Sequence, residues 1–165
     1  MKLHVIGKKF IALATAMAML SVFAKSKSSD DFDDDIDGEM YSFSLEDDIE
    51  SVGGYDVLSE FLPLGVDVVW TGKKFKTPKA GKIKYSKSEE DFVDKKESDN
   101  PSGLKLKYNK KTGKVTGSFK VYCSYESKKG KMKLKTYTAK VSGFLSEEES
   151  LVVKLKGKTY AATLD

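Results

Sequence analysis

Two groups of side chains in this 165-residue chain have the type and spacing to do chemistry. The first is acidic. In "DDDIDGEMYSFS", Asp33, Asp35, Asp37 and Gly38 match positions 1, 3, 5 and 6 of a calcium-binding loop, where alternating carboxylates converge on one hard cation and glycine makes the sharp turn. Position 12 should be a bidentate Glu. It is Ser44, and Glu46 comes two residues late. Calcium is therefore the one cofactor the sequence brings into view, at Asp33, Asp35 and Asp37. The competing reading is a solvated acidic linker that alternates by chance. The second group is basic. Lys105, Lys107, Lys120, Lys133 and Lys135, with Lys154 and Lys156 further on, occupy the polar positions of segments that alternate apolar and polar residues. A surface of this kind attracts polyanions. The competing reading is that the lysines solubilise a sheet and guard its edges.

Other chemistries lack their residues. The chain has one histidine (His4), one cysteine (Cys123) and no arginine, so all 29 basic residues are lysines. Nucleophilic systems that rely on an imidazole base have no candidate beyond residue 4. Zinc sites of the usual kinds need clustered histidine or cysteine. "GKVTGS" has neither the length nor the lysine placement of a phosphate loop. A carboxylate pair acting on a glycan, or a lysine acting as base for a serine, remains open without a recognisable motif. A lone Cys123 allows no internal disulfide, so the fold must rest on an apolar core.

Composition divides the chain in three. Residues 1–24 combine a basic start ("MKLHVIGKK"), an apolar run of 14 ("FIALATAMAMLSVF") and small residues at Val22 and Ala24. This reads as a secretory signal peptide cut after Ala24. The alternatives are a short buried helix and an uncleaved anchor. No later stretch is apolar enough to span a bilayer. Residues 25–60 hold 13 acids and two lysines, and are expected to form a largely disordered acidic leader. Within it, Ser44 could cap a short helix over 45–52 that Gly53 and Gly54 would stop. Residues 61–165 hold 24 lysines and 12 acids and make up the folded domain. The −11 leader could lie on the +12 domain and mask it.

From Leu64 onward the apolar period becomes two. "GVDVVW", "KIKYS", "LKLKYN", "GKVTGSFKVYCSYES", "KMKLKTYTAKVSGF" and the closing hairpin "SLVVKLKGKTYAATLD", turning at Gly157–Lys158, give about seven strands joined mostly by short turns. "SKSEEDFVDKKESDNPSG" reads as a long polar loop. Met132 and Leu134 are out of phase with Tyr137, Ala139 and Val141, which predicts a bulge near Lys135–Thr136. The glycines of "KVTGSF" and "KVSGF" mark places where two neighbouring strands coil. Cys123 and Trp70 fall on core positions. The fold class expected is mainly β, an antiparallel β-barrel or β-sandwich.

"LPLGVDVVWTGKKFKTPKAGKIKY", "NPSGLKLKYNKKTGKVTGSFKVY" and "GKMKLKTYTAKVSGF" resemble an uncharacterised C-terminal β-domain of secreted bacterial surface proteins. The resemblance covers about residues 62–165. It rests on turn and strand signatures, so it implies a shared fold and an exported setting and carries no activity. The segment after Ser142 departs from the glycine-rich close of that family.

The expectation is an exported, non-catalytic β-domain with a structural or adhesive role at the cell envelope or outside the cell. The alternatives are a secreted module that binds acidic glycans or envelope components through its lysines, and a carboxylate-dependent hydrolase. Nucleic acid is the less favoured polyanion, because aromatic residues are sparse among the lysines and Tyr122 is the clearest one.

Overall fold

The computed structural model describes residues 38–145 and 151–165. They form twelve strands: β1 (Glu39–Leu45), β2 (Ser51–Val52), β3 (Tyr55–Val57), β4 (Leu64–Trp70), β5 (Phe75–Lys76), β6 (Ile83–Ser86), β7 (Asp91–Asp94), β8 (Lys105–Asn109), β9 (Lys114–Glu126), β10 (Met132–Phe144), β11 (Leu151–Leu155) and β12 (Lys158–Leu164). The only helical turn among the described residues is a 3₁₀ turn at Ser59–Phe61. Ten strands make one antiparallel sheet in the order β2-β3-β9-β10-β11-β12-β1-β4-β5, with β8 also paired to β9. The sheet curls into a half-barrel. Strands β6 and β7 form a separate hairpin.

The two longest strands set the geometry. β9 and β10 pair without a shift from Met132↔Glu126 to Phe144↔Lys114. Directly opposed residues share a face, so Val115, Phe119, Val121 and Cys123 lie on the same face as Ala139 and Val141. All six are buried. β11 and β12 continue that face with Leu151, Val153, Leu155 and Ala162, and β1 and β4 with Phe43, Leu45, Val66, Val68 and Trp70. Curling brings Phe43 against Phe119, with ring centres 6.2 Å apart. At the far edge the rings of Trp70, Phe75 and Tyr108 meet, which places β5 beside β8. The concave face is thus filled by one apolar core.

Each of the seven segments expected to be strands is one. The expected mainly β, antiparallel fold takes the form of a half-barrel, and five further strands (β1, β2, β3, β5 and β7) are present. No helix covers 45–52. β1 runs to Leu45, and Ser51–Val52 pairs with Tyr55–Asp56 in a hairpin that turns on Gly53 and Gly54. Ser44 does satisfy a backbone donor, but across strands: its Oγ accepts from Gly65 N–H at 2.8 Å. Gly65 is the extra residue of a bulge, where the β1–β4 register shifts between Phe43 and Ser44. Its φ of +69° suits glycine. The folded unit therefore includes residues 38–60 and does not start at 61. The signal segment and the start of the leader lie outside the described residues.

The bulge expected at Lys135–Thr136 is absent, and its absence has a physical reason. The second apolar phase of β10 is real but belongs to the other face of the sheet. Leu134 packs there with Phe61, Ile83, Phe92 and Tyr122, and Leu58 joins them. The Phe61 and Tyr122 rings meet edge to face. The cover is the β6–β7 hairpin, whose second strand comes from the segment read as a loop. Phe92 is the one large apolar residue that segment contributes to the cluster.

Polar side chains fix the hairpin in place. Asp94 accepts from the backbone N–H groups of Lys82 (2.6 Å), Lys96 and Ser98. Burial by itself raises its pKa. The three amide donors and the Lys96 charge outweigh that and hold the carboxyl below its ordinary 3.8. Buried Asn100 donates to the carbonyls of Pro78 and Leu104 and accepts from Leu104 N–H, which locks the connection into β8.

A carboxyl with a depressed folded-state pKa adds stability above its unfolded value and loses it as pH falls through the folded one. Asp94→Asn should therefore unfold at lower urea than the parent near neutral pH, with the gap closing as the pH is lowered below 3.8. A gap of equal size at both pH values would rule out the carboxylate as the cause. Gly117 provides a second check. A Cβ there would collide with the Lys105 carbonyl and the Leu106 side chain, where β8 lies tight on β9. Gly117→Val should cost about 2 kcal/mol in urea unfolding, and an unchanged midpoint would refute the close approach.

Candidate functional site

On β8 to β12 the face opposite the core is mostly lysine, serine and threonine where the β6–β7 hairpin does not cover it, with Phe144, Val152 and Ala161 among them. Strand register organises it. Lys105 of β8 lies opposite Ser118 of β9, and Ser118 opposite Lys140 of β10. Lys140 lies opposite Lys154 of β11, and Lys154 opposite Thr159 of β12. These five residues form one row across five strands, with neighbouring strands about 4.8 Å apart. Lys107, opposite Thr116, flanks the row on one side. Lys120, opposite Thr138, flanks it on the other. All five lysines are exposed. Among the described residues none of them makes an ion pair.

Lys140 and Lys154 stand directly opposite each other with like charge, an arrangement that destabilises a sheet. A shallow groove of about 430 Å³ opens beside them. Thr138, Lys140, Lys154, Lys156, Lys158 and Thr159 line it, with the Leu155–Gly157 end of the β11–β12 hairpin. Among the described residues no acid lines this groove.

The lysines singled out from the sequence do not all belong here. Lys105, Lys107 and Lys120 come together on the outer face. Lys133 and Lys135 lie opposite Tyr125 and Cys123, in the phase of the core, so they project from the other side of the sheet. The bulge that would have carried them to the lysine face does not exist. Lys135 instead sits 4.5 Å from the centre of the Tyr55 ring and near Tyr137. These contacts, Tyr55 first, hold its ammonium above the ordinary range. Lys156 lies over the other part of the same cluster, 5.4 Å from the Tyr137 ring. Lys140 and Lys158 were missed. Lys140 could have been found from phase alone, since it alternates with Ala139 and Val141.

Asp33, Asp35 and Asp37 lie outside the described residues. Ser44, the twelfth position of that pattern, is engaged at the Gly65 bulge. Among the described residues no three His, Cys, Asp or Glu side chains group as metal ligands. Cys123 is fully buried. Burial first, then the Asp56 charge, push its thiol pKa up, which disfavours the reactive thiolate. Trp70 is buried against Phe75 and Tyr108. Tyr122, the aromatic residue expected among the lysines, is buried beneath the β6–β7 hairpin. No aromatic residue belongs to the lysine row or to the Lys107–Thr116 and Lys120–Thr138 pairs that flank it, and Tyr122, the next residue of this face after Lys120, is covered by the hairpin. No helix among the described residues is long and apolar enough to cross a membrane.

No family model, no curated protein and no solved structure matches the chain.

Relieving the opposed cations tests the charge geometry without any ligand. Lys154→Thr should raise the thermal midpoint by about 1–2 °C at low ionic strength, and the gain should vanish at about 1 M salt, where screening is nearly complete. A gain that persists at high salt would mean that strand propensity, and not repulsion, is its source.

Proposed function

We propose that the chain is an exported, non-catalytic adhesive module of the cell envelope or exterior, and that it holds acidic glycan polymers on the outer face of its half-barrel. The observation that carries this reading is the in-register row Lys105–Ser118–Lys140–Lys154–Thr159. Lysines that serve only solubility gain nothing from facing one another, and interspersed acids would serve better. A row of cations without an ion pair among the described residues, one that includes a repulsive pair, makes sense when a polyanion supplies the missing charge. An extended polymer laid across the strands meets the row and both flanking lysines at once. The lack of a stacking ring beside the row argues for a glycan over single-stranded nucleic acid.

The remaining parts of the proposal rest on sequence. Export is supported by the signal-like residues 1–24 and by the resemblance of residues 62–165 to β-domains of secreted bacterial surface proteins. The absence of catalysis is supported by the single histidine within the signal-like segment and by the burial of Cys123.

Retention on immobilised heparin, read as the salt needed for elution, tests the face. Changing Lys105, Lys140 and Lys154 to Gln should weaken binding by at least about tenfold. Changing Lys128, Lys129 and Lys131 to Gln, in the β9–β10 turn, removes the same charge elsewhere and should have a much smaller effect. Equal losses in the two variants would reduce the attraction to net charge and overturn the assignment of the face.

A further inference from the structure

We infer that the end of the core face beyond β8, where Tyr55, Tyr125 and Tyr137 meet Lys133, Lys135 and Lys156, is a second binding site that takes an acidic sugar residue, its ring against tyrosine and its acid on lysine. The inference rests on the proposed glycan-binding reading and adds to it a site on the opposite side of the sheet. Topology makes the place. β8 pairs with β9 only from Lys114 to Ser118. β9 and β10 run on together past it, with the short β3 alongside at Cys123 and Ser124. The core face changes character there. Tyr137 lies opposite core-facing Val121, Lys135 opposite Cys123, and Lys133 opposite Tyr125. Tyr55 joins them from β3 in the phase of Val57, its ring centre 5.3 Å from that of Tyr125. The three rings are half-buried and the three lysines exposed.

These groups are positioned by the fold itself. The Tyr137 hydroxyl lies over Gly53, where a Cβ would stand 2.6 Å from it. The Lys135 ammonium is 4.5 Å from the centre of the Tyr55 ring, and the Lys156 ammonium 5.4 Å from that of Tyr137. A lysine held against a ring has less side-chain freedom left to lose when it meets a ligand. The acids next to these rings in sequence, Asp56 and Glu126, take the other phase, opposite Ser124 and Met132. Among the described residues none of the three lysines makes an ion pair. Ring and cation together define the ligand. Tyrosine offers an apolar body with a polar tip, which matches the C–H edge and hydroxyls of a sugar. The lysine beside it meets the acid group as a point charge. Successive bases of a single strand need ring faces in series, whereas Tyr55 and Tyr125 are inclined at 60°. The outer row has cations without rings and reads charge alone. Two sites on opposite sides of one sheet make the module bivalent, so that it holds two polymer segments at once.

Titration calorimetry of the full chain counts the sites, with heparin tetrasaccharide, short polyphosphate and oligothymidylate as ligands. The parent should bind two tetrasaccharides per chain but one polyphosphate, which has the charge without the sugar ring. Lys135→Gln with Lys156→Gln should remove one tetrasaccharide and leave polyphosphate binding unchanged. Changing Lys105, Lys140 and Lys154 to Gln should weaken polyphosphate by at least about tenfold and leave one tetrasaccharide bound. Circular dichroism of each variant confirms the fold, since these lysines are exposed. One tetrasaccharide site lost only in the row variant, or a second site that takes polyphosphate or oligothymidylate equally well, overturns this inference and leaves the outer face in place. One tetrasaccharide site lost only in the Lys135 and Lys156 variant overturns the outer face and leaves this site. Failure to bind any of the three ligands overturns both.

Discussion

The unbroken pairing of β9 with β10 is the constraint from which the rest follows. Thirteen consecutive pairs hold one register from Met132↔Glu126 to Phe144↔Lys114. In a ladder of period two, a one-residue slip would exchange the faces. Phe119, Val121 and Cys123 would then turn outward and Lys120 inward. The slip is opposed by burial of Val115, Phe119, Val121, Cys123, Ala139 and Val141 on a single side. The apolar core therefore sets the lysine positions on the opposite side without any contact to them. β8 and β11 inherit this register on either side of the pair, which is how Lys105 and Lys154 come to share a row with Lys140.

The outer face is itself divided. Where β9 and β10 carry Tyr122 and Leu134, the β6–β7 hairpin and the Ser59–Phe61 turn cover them. Beyond Lys120 the face is mostly lysine, serine and threonine, with Phe144, Val152 and Ala161 among them. This division explains why β10 has apolar residues in two phases. One phase faces the half-barrel interior throughout. The other buries Leu134 under the hairpin, continues through Thr136, Thr138, Lys140 and Ser142, and ends on the exposed Phe144. The sequence shows both phases but not the cover that reconciles them, so a bulge was the economical inference.

What was legible followed from strength of alternation. Strands β4, β6, β8, β9, β10, β11 and β12 each carry their inward residues in plain period two or close to it. β1 carries the same signal in Tyr41, Phe43 and Leu45. The acids that follow at Glu46, Asp47 and Asp48 suggested the first turn of a helix instead. In the fold one of them has a different use, as the Asp47 carboxylate accepts from Ala161 N–H beside the end of β12. β7 was invisible because its inward content is a single Phe92, and a hairpin of four-residue strands needs no more when a larger sheet supports it. In the candidate site, residue type was legible and grouping was not. Lys105, Lys107 and Lys120 could be placed together from phase. Lys133 and Lys135 were joined to them only through a bulge that the register excludes. The Lys140–Lys154 opposition depends on the β10–β11 register across residues 146–150, which no local pattern reveals.

If the outer face binds a polyanion as proposed, it does so through lysine alone, and that gives a particular kind of selectivity. With no arginine, the protein cannot read the planar shape of an anionic group by a fork of parallel hydrogen bonds. It can still read where charge sits, because strands space their side chains by fixed distances in two directions, about 4.8 Å between strands and about 6.8 Å between alternate residues of one strand. Lys105 and Lys107 sample the second spacing, and Lys140 and Lys154 the first. Charge density along a polymer is what such a grid measures.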